Sequence, residues 1–191
     1  MLQERLSETI SGTTIRAVAG EAVVLLGFSV ALAVTAGLVK TPMGVPGHSA
    51  VFWVPVLVLA GCRRMPGFVV ATALCGGAMA AGIGGFRAME FAGVLASAGV
   101  VEAFGLGRRE RPAGVLIVLA GGLGHATKLS VKVLALAVAG VPLNHAGLPL
   151  LPTLGLYVSF GIIGGLLAWG ARSGWEYLCR SEVNSPKEKR Q

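Results

Sequence analysis

His125, Lys128 and Lys132 stand in the middle and second half of an otherwise oily stretch, Pro112 to Gly140. At about 100° per residue the three side chains fall within about 60° of one another on a helix, and Gly121 shares their face. A lysine at the centre of a bilayer costs roughly 2.5–3.5 kcal/mol on insertion scales. A helix that carries two of them needs an internal counter-charge, an aqueous cavity or an anionic ligand. Two ammonium groups on one face suit a carboxylate or a phosphate. The imidazole beside them supplies either a hydrogen bond to a neighbouring helix or, if Glu102 or Glu21 reaches it, a step in a proton relay.

The elements that must position this face are membrane helices. The 191 residues are 54% hydrophobic and 13% charged, with a mean hydropathy of +0.75. That profile fits a polytopic membrane protein and leaves room for one helical bundle. Six apolar stretches follow: 17–39, 47–62, 65–85, 88–106, 112–140 and 148–171. The second is short and interrupted by Pro55, the fifth is long enough to tilt or to end in loop, and the others meet the requirement of about 17–25 residues. Residues 1–16 and 173–191 read as polar segments flanking a transmembrane domain over 17–172. The first stretch is longer than a secretory h-region and follows a segment of mixed charge, so a cleaved signal peptide is not expected.

The loop charges orient the bundle. Six crossings put Arg5, Arg16, Arg63, Arg64, Arg108, Arg109, Arg111, Arg172, Arg180, Lys187, Lys189 and Arg190 on one face, and only Lys40 and Arg87 on the other. By the positive-inside rule the basic face and both termini are cytoplasmic. The expected fold is therefore an all-α polytopic membrane protein, with six transmembrane helices in one bundle. The net charge of +7 then points to anionic lipid headgroups and not to nucleic acid.

This orientation gives the polar residues depths. His125 lies near mid-membrane, with Lys128 and Lys132 progressively outward. Glu90 lies near the outer surface and Glu102 near the inner one. Lys132 and Glu90 share a depth and make the natural ion pair. Such a pair could be structural, fixing helix register, or the lysines could hold a ligand's anionic group. The first outer loop, KTPMGVPGHSAVFW, carries His48, Ser49 and Trp53; it could cap a cavity, or Trp53 could anchor at the interface. Asn144 and His145 lie in the last outer loop, at the same end. Arg87 and Glu90 could also simply pair with each other at i,i+3.

Several chemistries are set aside. All nine acids are Glu, and Asp is absent, which disfavours divalent-metal cages and Asp-based phosphoryl transfer. Cys62, Cys75 and Cys179 form no close pair, so neither a disulfide framework nor a zinc site is expected. The VPGHSA segment at 45–50 is similar to one element of membrane lipid phosphatases, but the Arg-His and Asp elements of that family are missing. No G-x-S-x-G, H-E-x-x-H or P-loop occurs, so neither an enzyme nor an ATPase is expected. Ser29, Ala33 and Gly37 recur every four residues along the first stretch, as do Gly161 and Gly165 in the sixth. Such stripes serve close packing within a bundle or docking to another membrane subunit.

Six spans with both ends inside, the segment PGHSAVFWVPVLVLAG at 46–61 followed by Arg63-Arg64, the segment AGGLGHATKLS at 120–130 and the segment YVSFGIIGGLLA at 157–168 resemble the substrate-binding S components of energy-coupling factor (ECF) transporters. The resemblance implies a multi-pass protein of a bacterial-type cytoplasmic membrane, without a cofactor. It would bind a vitamin or related nutrient in an outward cavity formed by helices four to six and closed by the first loop. It implies docking, through the Ser29/Ala33/Gly37 stripe, to a membrane coupling subunit driven by two cytoplasmic ATPases. Lys128, Lys132, His125, Glu90, His48, Trp53, Asn144 and His145 are then the expected binding residues. The metal-transporting branch carries an N-terminal histidine, and residues 1–10 hold none. The alternatives are an autonomous proton- or ion-coupled carrier or channel that uses Lys128, His125 and Glu102, and a non-transport membrane protein, such as an assembly subunit, whose buried charges only set helix register.

Overall fold

The computed structural model describes residues 2–38, 45–84, 87–141 and 149–184. Their regular structure is entirely helical: α1 (Leu2–Leu32), α2 (Ala50–Gly61), α3 (Phe68–Gly82), α4 (Ala88–Ala103), α5 (Gly114–Val138) and α6 (Leu150–Asn184). A π-helical segment, Ala33–Leu38, continues α1, and a single 3₁₀ turn, Leu106–Arg108, follows α4. Each of the six apolar stretches holds one helix. Two helices overrun their stretches: α1 starts in the polar segment before residue 17, and α6 runs on to Asn184. Four segments, Arg16–Gly37, Ala88–Arg108, Gly114–Val138 and Leu150–Arg180, are long and apolar enough to cross a membrane.

The other two helices, α2 and α3, are shorter, at 12 and 15 residues. Their apolar side chains show almost no sidedness, the pattern of a helix covered all round. The packing accounts for it in α2, which touches each of the other five helices. Trp53, Val54, Leu57 and Val58 of α2 are buried at the centre of the core. The helices neighbour one another in the order α1, α3, α4, α5, α6, α2 and back to α1, and α2 also touches α3, α4 and α5. The outer surfaces of α1, α5 and α6 remain apolar and exposed, as at Val23, Leu134 and Leu166, which suits contact with lipid.

Glycine sets the closest crossings. A Cβ on Gly121 of α5 would lie 2.5 Å from the Gly161 carbonyl oxygen of α6, and one on Gly165 would lie 2.8 Å from Val118 Cα. The glycine stripe of α6 is therefore a packing surface within the bundle. The Ser29/Ala33/Gly37 stripe also turns inward, contrary to its expected role as a docking face. Ser29 is 1% exposed and Ala33 5% exposed, and Gly37 is buried too. A Cβ on Gly76 of α3 would lie 2.7 Å from the Ser29 carbonyl oxygen. Two smooth surfaces, one on α1 and one on α3, bring these backbones together.

The two ends of the bundle differ in chemistry. At one end α3 begins beneath Glu102, whose carboxylate accepts the backbone N–H groups of Gly67 at 2.8 Å and Val69 at 3.0 Å. These are unpaired donors at a helix N-terminus, where negative charge is favourable. Beside them Arg63 Nη2 donates to both carboxylate oxygens of Glu21, each at 2.9 Å. Gly107 fits under Arg63 only because it has no side chain: a Cβ there would overlap the Arg63 carbonyl. The opposite end holds the start of α4, the segment before α2 and the second half of α5.

Candidate binding site

At that opposite end the described residues enclose a cavity of about 210 Å³, lined by Gly47, Ser49, Met89, Glu90, His125, Lys128, Lys132 and Tyr157. Four elements meet there: the turn before α2, the first turn of α4, the second half of α5 and the upper part of α6. The α5–α6 glycine crossing places His125 directly against Tyr157. The two rings stack, with centroids 4.5 Å apart and planes 9° apart. A Cβ on Gly161 would lie 2.9 Å from His125 Cβ, so the stack depends on that glycine.

Gly47 completes the wall from the other side. Its φ is +84°, a conformation that glycine adopts without strain. Its carbonyl accepts the His125 Nε2 hydrogen at 3.1 Å. A Cβ here would meet Tyr157 at 3.0 Å and His125 Nε2 at 3.1 Å. The turn before α2 thus rests its bare backbone on the His125–Tyr157 stack. That hydrogen bond fixes the imidazole as the Nε2–H tautomer and leaves Nδ1 as an acceptor.

Beneath the cavity lies Trp53, 1% exposed. Its ring meets His125 edge-on at 5.3 Å, and the Lys128 ammonium sits over its face, 5.2 Å from the ring centre. The lysine stem crosses α4 where Gly93 leaves space; a Cβ there would lie 2.7 Å from Lys128 Cγ. A cation–π contact contributes about 0.5–2 kcal/mol, less than the cost of placing an ammonium at membrane depth. Glu90 and Lys132 line the same cavity as Lys128. Among the described lining residues, two basic side chains and one carboxylate amount to one formal positive charge in excess.

Two buried polar atoms of this cluster, His125 Nδ1 and Trp53 Nε1, have no hydrogen-bond partner among the described residues. An unpaired buried polar atom typically costs 1–3 kcal/mol.

Of the eight expected binding residues, Lys128, Lys132, His125 and Glu90 line the cavity, and Trp53 supports it from below. Trp53 is thus neither a cap nor an interface anchor. His48 is not among the lining residues; its Nδ1 lies 2.6 Å from the Val45 carbonyl oxygen, and its neighbours Gly47 and Ser49 form the wall instead. Asn144 and His145 lie outside the described residues, as does Lys40.

The expected Lys132–Glu90 ion pair is not formed. The ion pairs among the described residues are Arg63–Glu21 and Arg172–Glu176. Glu90 Oε2 instead accepts the Arg87 backbone N–H at 3.1 Å, closing the first turn of α4. Glu90 and Lys132 both line the cavity. Glu102 is held by α3 at the far end. His125 bonds the Gly47 carbonyl through Nε2, and its Nδ1 has no partner among the described residues, so it makes no hydrogen bond to Glu102.

Tyr157, Met89 and Gly47 are the additions, and Ser49, named in the first outer loop but not among the eight, lines the cavity as well. The two tyrosines of the chain gave a weak signal, because a lone hydroxyl in an apolar helix has no spacing to read. No family model, curated protein or solved structure matches this chain.

Proposed function

We propose that this chain is the solute-binding subunit of a membrane uptake system, resembling ECF S components, and that its cavity holds a small anionic nutrient. The observation that carries the reading is the pair of lysines on one cavity wall with a single carboxylate opposite. Lys128 and Lys132 hold the ligand's carboxylate or phosphate. The free oxygen of Glu90 and the Ser49 hydroxyl take a hydrogen-bond donor elsewhere on the ligand, and Tyr157 and Met89 cover an apolar body. The cavity volume is below the 300–1,000 Å³ of pockets for drug-sized ligands. It suits a compact biotin-like or pantothenate-like carboxylate better than a folate-like molecule.

In this reading all six helices cross a bacterial-type cytoplasmic membrane, with both termini inside. The strongly basic end then faces the cytoplasm and the cavity opens outward. Energy comes from two ATPases through a coupling subunit. Because the Ser29/Ala33/Gly37 stripe is covered by α3, that subunit meets a different face, and the exposed apolar side of α1 is the candidate. The competing reading, an ion-coupled carrier using Lys128, His125 and Glu102, has less support, because the hydrogen bonds of Glu102 go to the start of α3 and not to His125.

A direct test is a thermal-shift and calorimetric screen of small carboxylates and phosphates against the purified protein. A hit with submicromolar affinity that Lys128→Ala weakens at least tenfold supports the proposal. Solute flux in liposomes without any ATPase, abolished by a protonophore, would favour the carrier.

A further inference from the structure

A second concavity lies at the basic end, far from the solute cavity. Val18, Ala22 and Leu25 of α1 face Met65, Pro66 and Phe68 across a groove of about 400 Å³ that is almost wholly apolar. Its one charged lining residue among the described residues, Glu21, has both oxygens held by Arg63. Arg16 precedes the groove on α1, and Arg64 precedes it on the α2–α3 turn. Both are exposed, and neither forms an ion pair among the described residues.

The geometry points to a bound anionic phospholipid, with one acyl chain in this groove and its phosphate between Arg16 and Arg64. The inference rests on the chain spanning a bilayer; it does not depend on the identity, or existence, of a transported solute. Arg16 opens the first membrane-spanning segment, so the groove begins at headgroup depth and runs into the hydrocarbon. An apolar groove there gains nothing from water and is filled by hydrocarbon. Pairs of basic side chains at that depth select anionic over zwitterionic headgroups. The locked Glu21–Arg63 pair keeps the carboxylate's charge from opposing this. A coupling subunit seated in the same groove is the competing occupant.

Native mass spectrometry of the full chain, released from detergent with phosphatidylglycerol or phosphatidylcholine of identical acyl chains, tests the proposal. We expect a retained one-to-one phosphatidylglycerol adduct and about tenfold weaker retention of phosphatidylcholine. Arg16→Gln with Arg64→Gln should remove the difference between headgroups while chain binding persists. Arg16→Lys with Arg64→Lys should restore it. Ala22→Trp, on the exposed helix α1, should block retention of both lipids, and its circular dichroism reports whether the fold is intact. Equal retention of the two lipids, or a preference untouched by the arginine and Ala22 variants, overturns the proposal. The second result would be expected if the groove seats a protein instead.

Discussion

The Lys128 ammonium rests 5.2 Å above the centre of the Trp53 ring, and this contact ties the most costly charge of the chain to its most buried indole. Trp169 and Trp175 are exposed, so Trp53 should respond differently from both. An anion that draws Lys128 off the ring will change Trp53 emission. We expect Lys128→Ala to shift the emission of the unliganded protein and to abolish the change on ligand addition. A ligand response unchanged in Lys128→Ala would place the anion elsewhere.

The His125–Tyr157 stack should be divisible into ring and hydroxyl. Tyr157→Phe keeps the ring contact and is expected to retain stability within about 1 kcal/mol, whereas Tyr157→Ala removes it and opens a void costing about 3–5 kcal/mol. Denaturant titration in detergent measures both. Similar losses in the two variants would mean that the hydroxyl, and not the stack, is what matters.

Gly47 should be intolerant for two reasons that add: its left-handed backbone and its contact with two rings. Gly47→Ala carries about 1–2 kcal/mol of backbone strain alone. Because the carbonyl of this residue accepts from His125, ligand affinity should fall as well. A Gly47→Ala protein with wild-type stability and affinity would show that the turn does not close on the stack as described.

Glu102 offers the converse. Glu102→Ala strips the carboxylate from two N–H groups at the start of α3 and should cost about 1.5–3 kcal/mol of stability. Ligand affinity should be unchanged, since the residue sits at the other end of α4. Loss of uptake or of proton coupling in a Glu102→Gln protein that remains folded would revive the relay reading.

These residues also show what a sequence can reveal. Lys128, Lys132 and His125 were legible because charge in an oily helix is costly and helical spacing assigns a face. Glu90 followed from depth, since α4 and α5 run in opposite directions. The six helices followed from hydropathy and loop charge. The Ser29/Ala33/Gly37 stripe was legible as a smooth surface but not in its direction; small residues fit a helix of the same chain as well as a partner, and the matching smoothness at Gly76 lies in another helix. The Glu90 hydrogen bond to Arg87 N–H was hidden for a different reason. A carboxylate three residues into a helix has a local donor that competes with any distant lysine. Gly47 and Tyr157 owe their roles to long-range contact with His125, which no local spacing encodes.

The central claim is that Lys128 and Lys132 hold a small anion in this cavity. The most direct measurement is to purify the chain from its native membranes, denature it, and quantify the released small molecules by mass spectrometry, with Lys128→Ala/Lys132→Ala purified in parallel. The account predicts one carboxylate- or phosphate-bearing compound released at near one-to-one stoichiometry from the unmodified chain and depleted at least tenfold from the double variant. A compound released equally from both proteins would contradict it, as would a cationic or uncharged compound lost with the lysines.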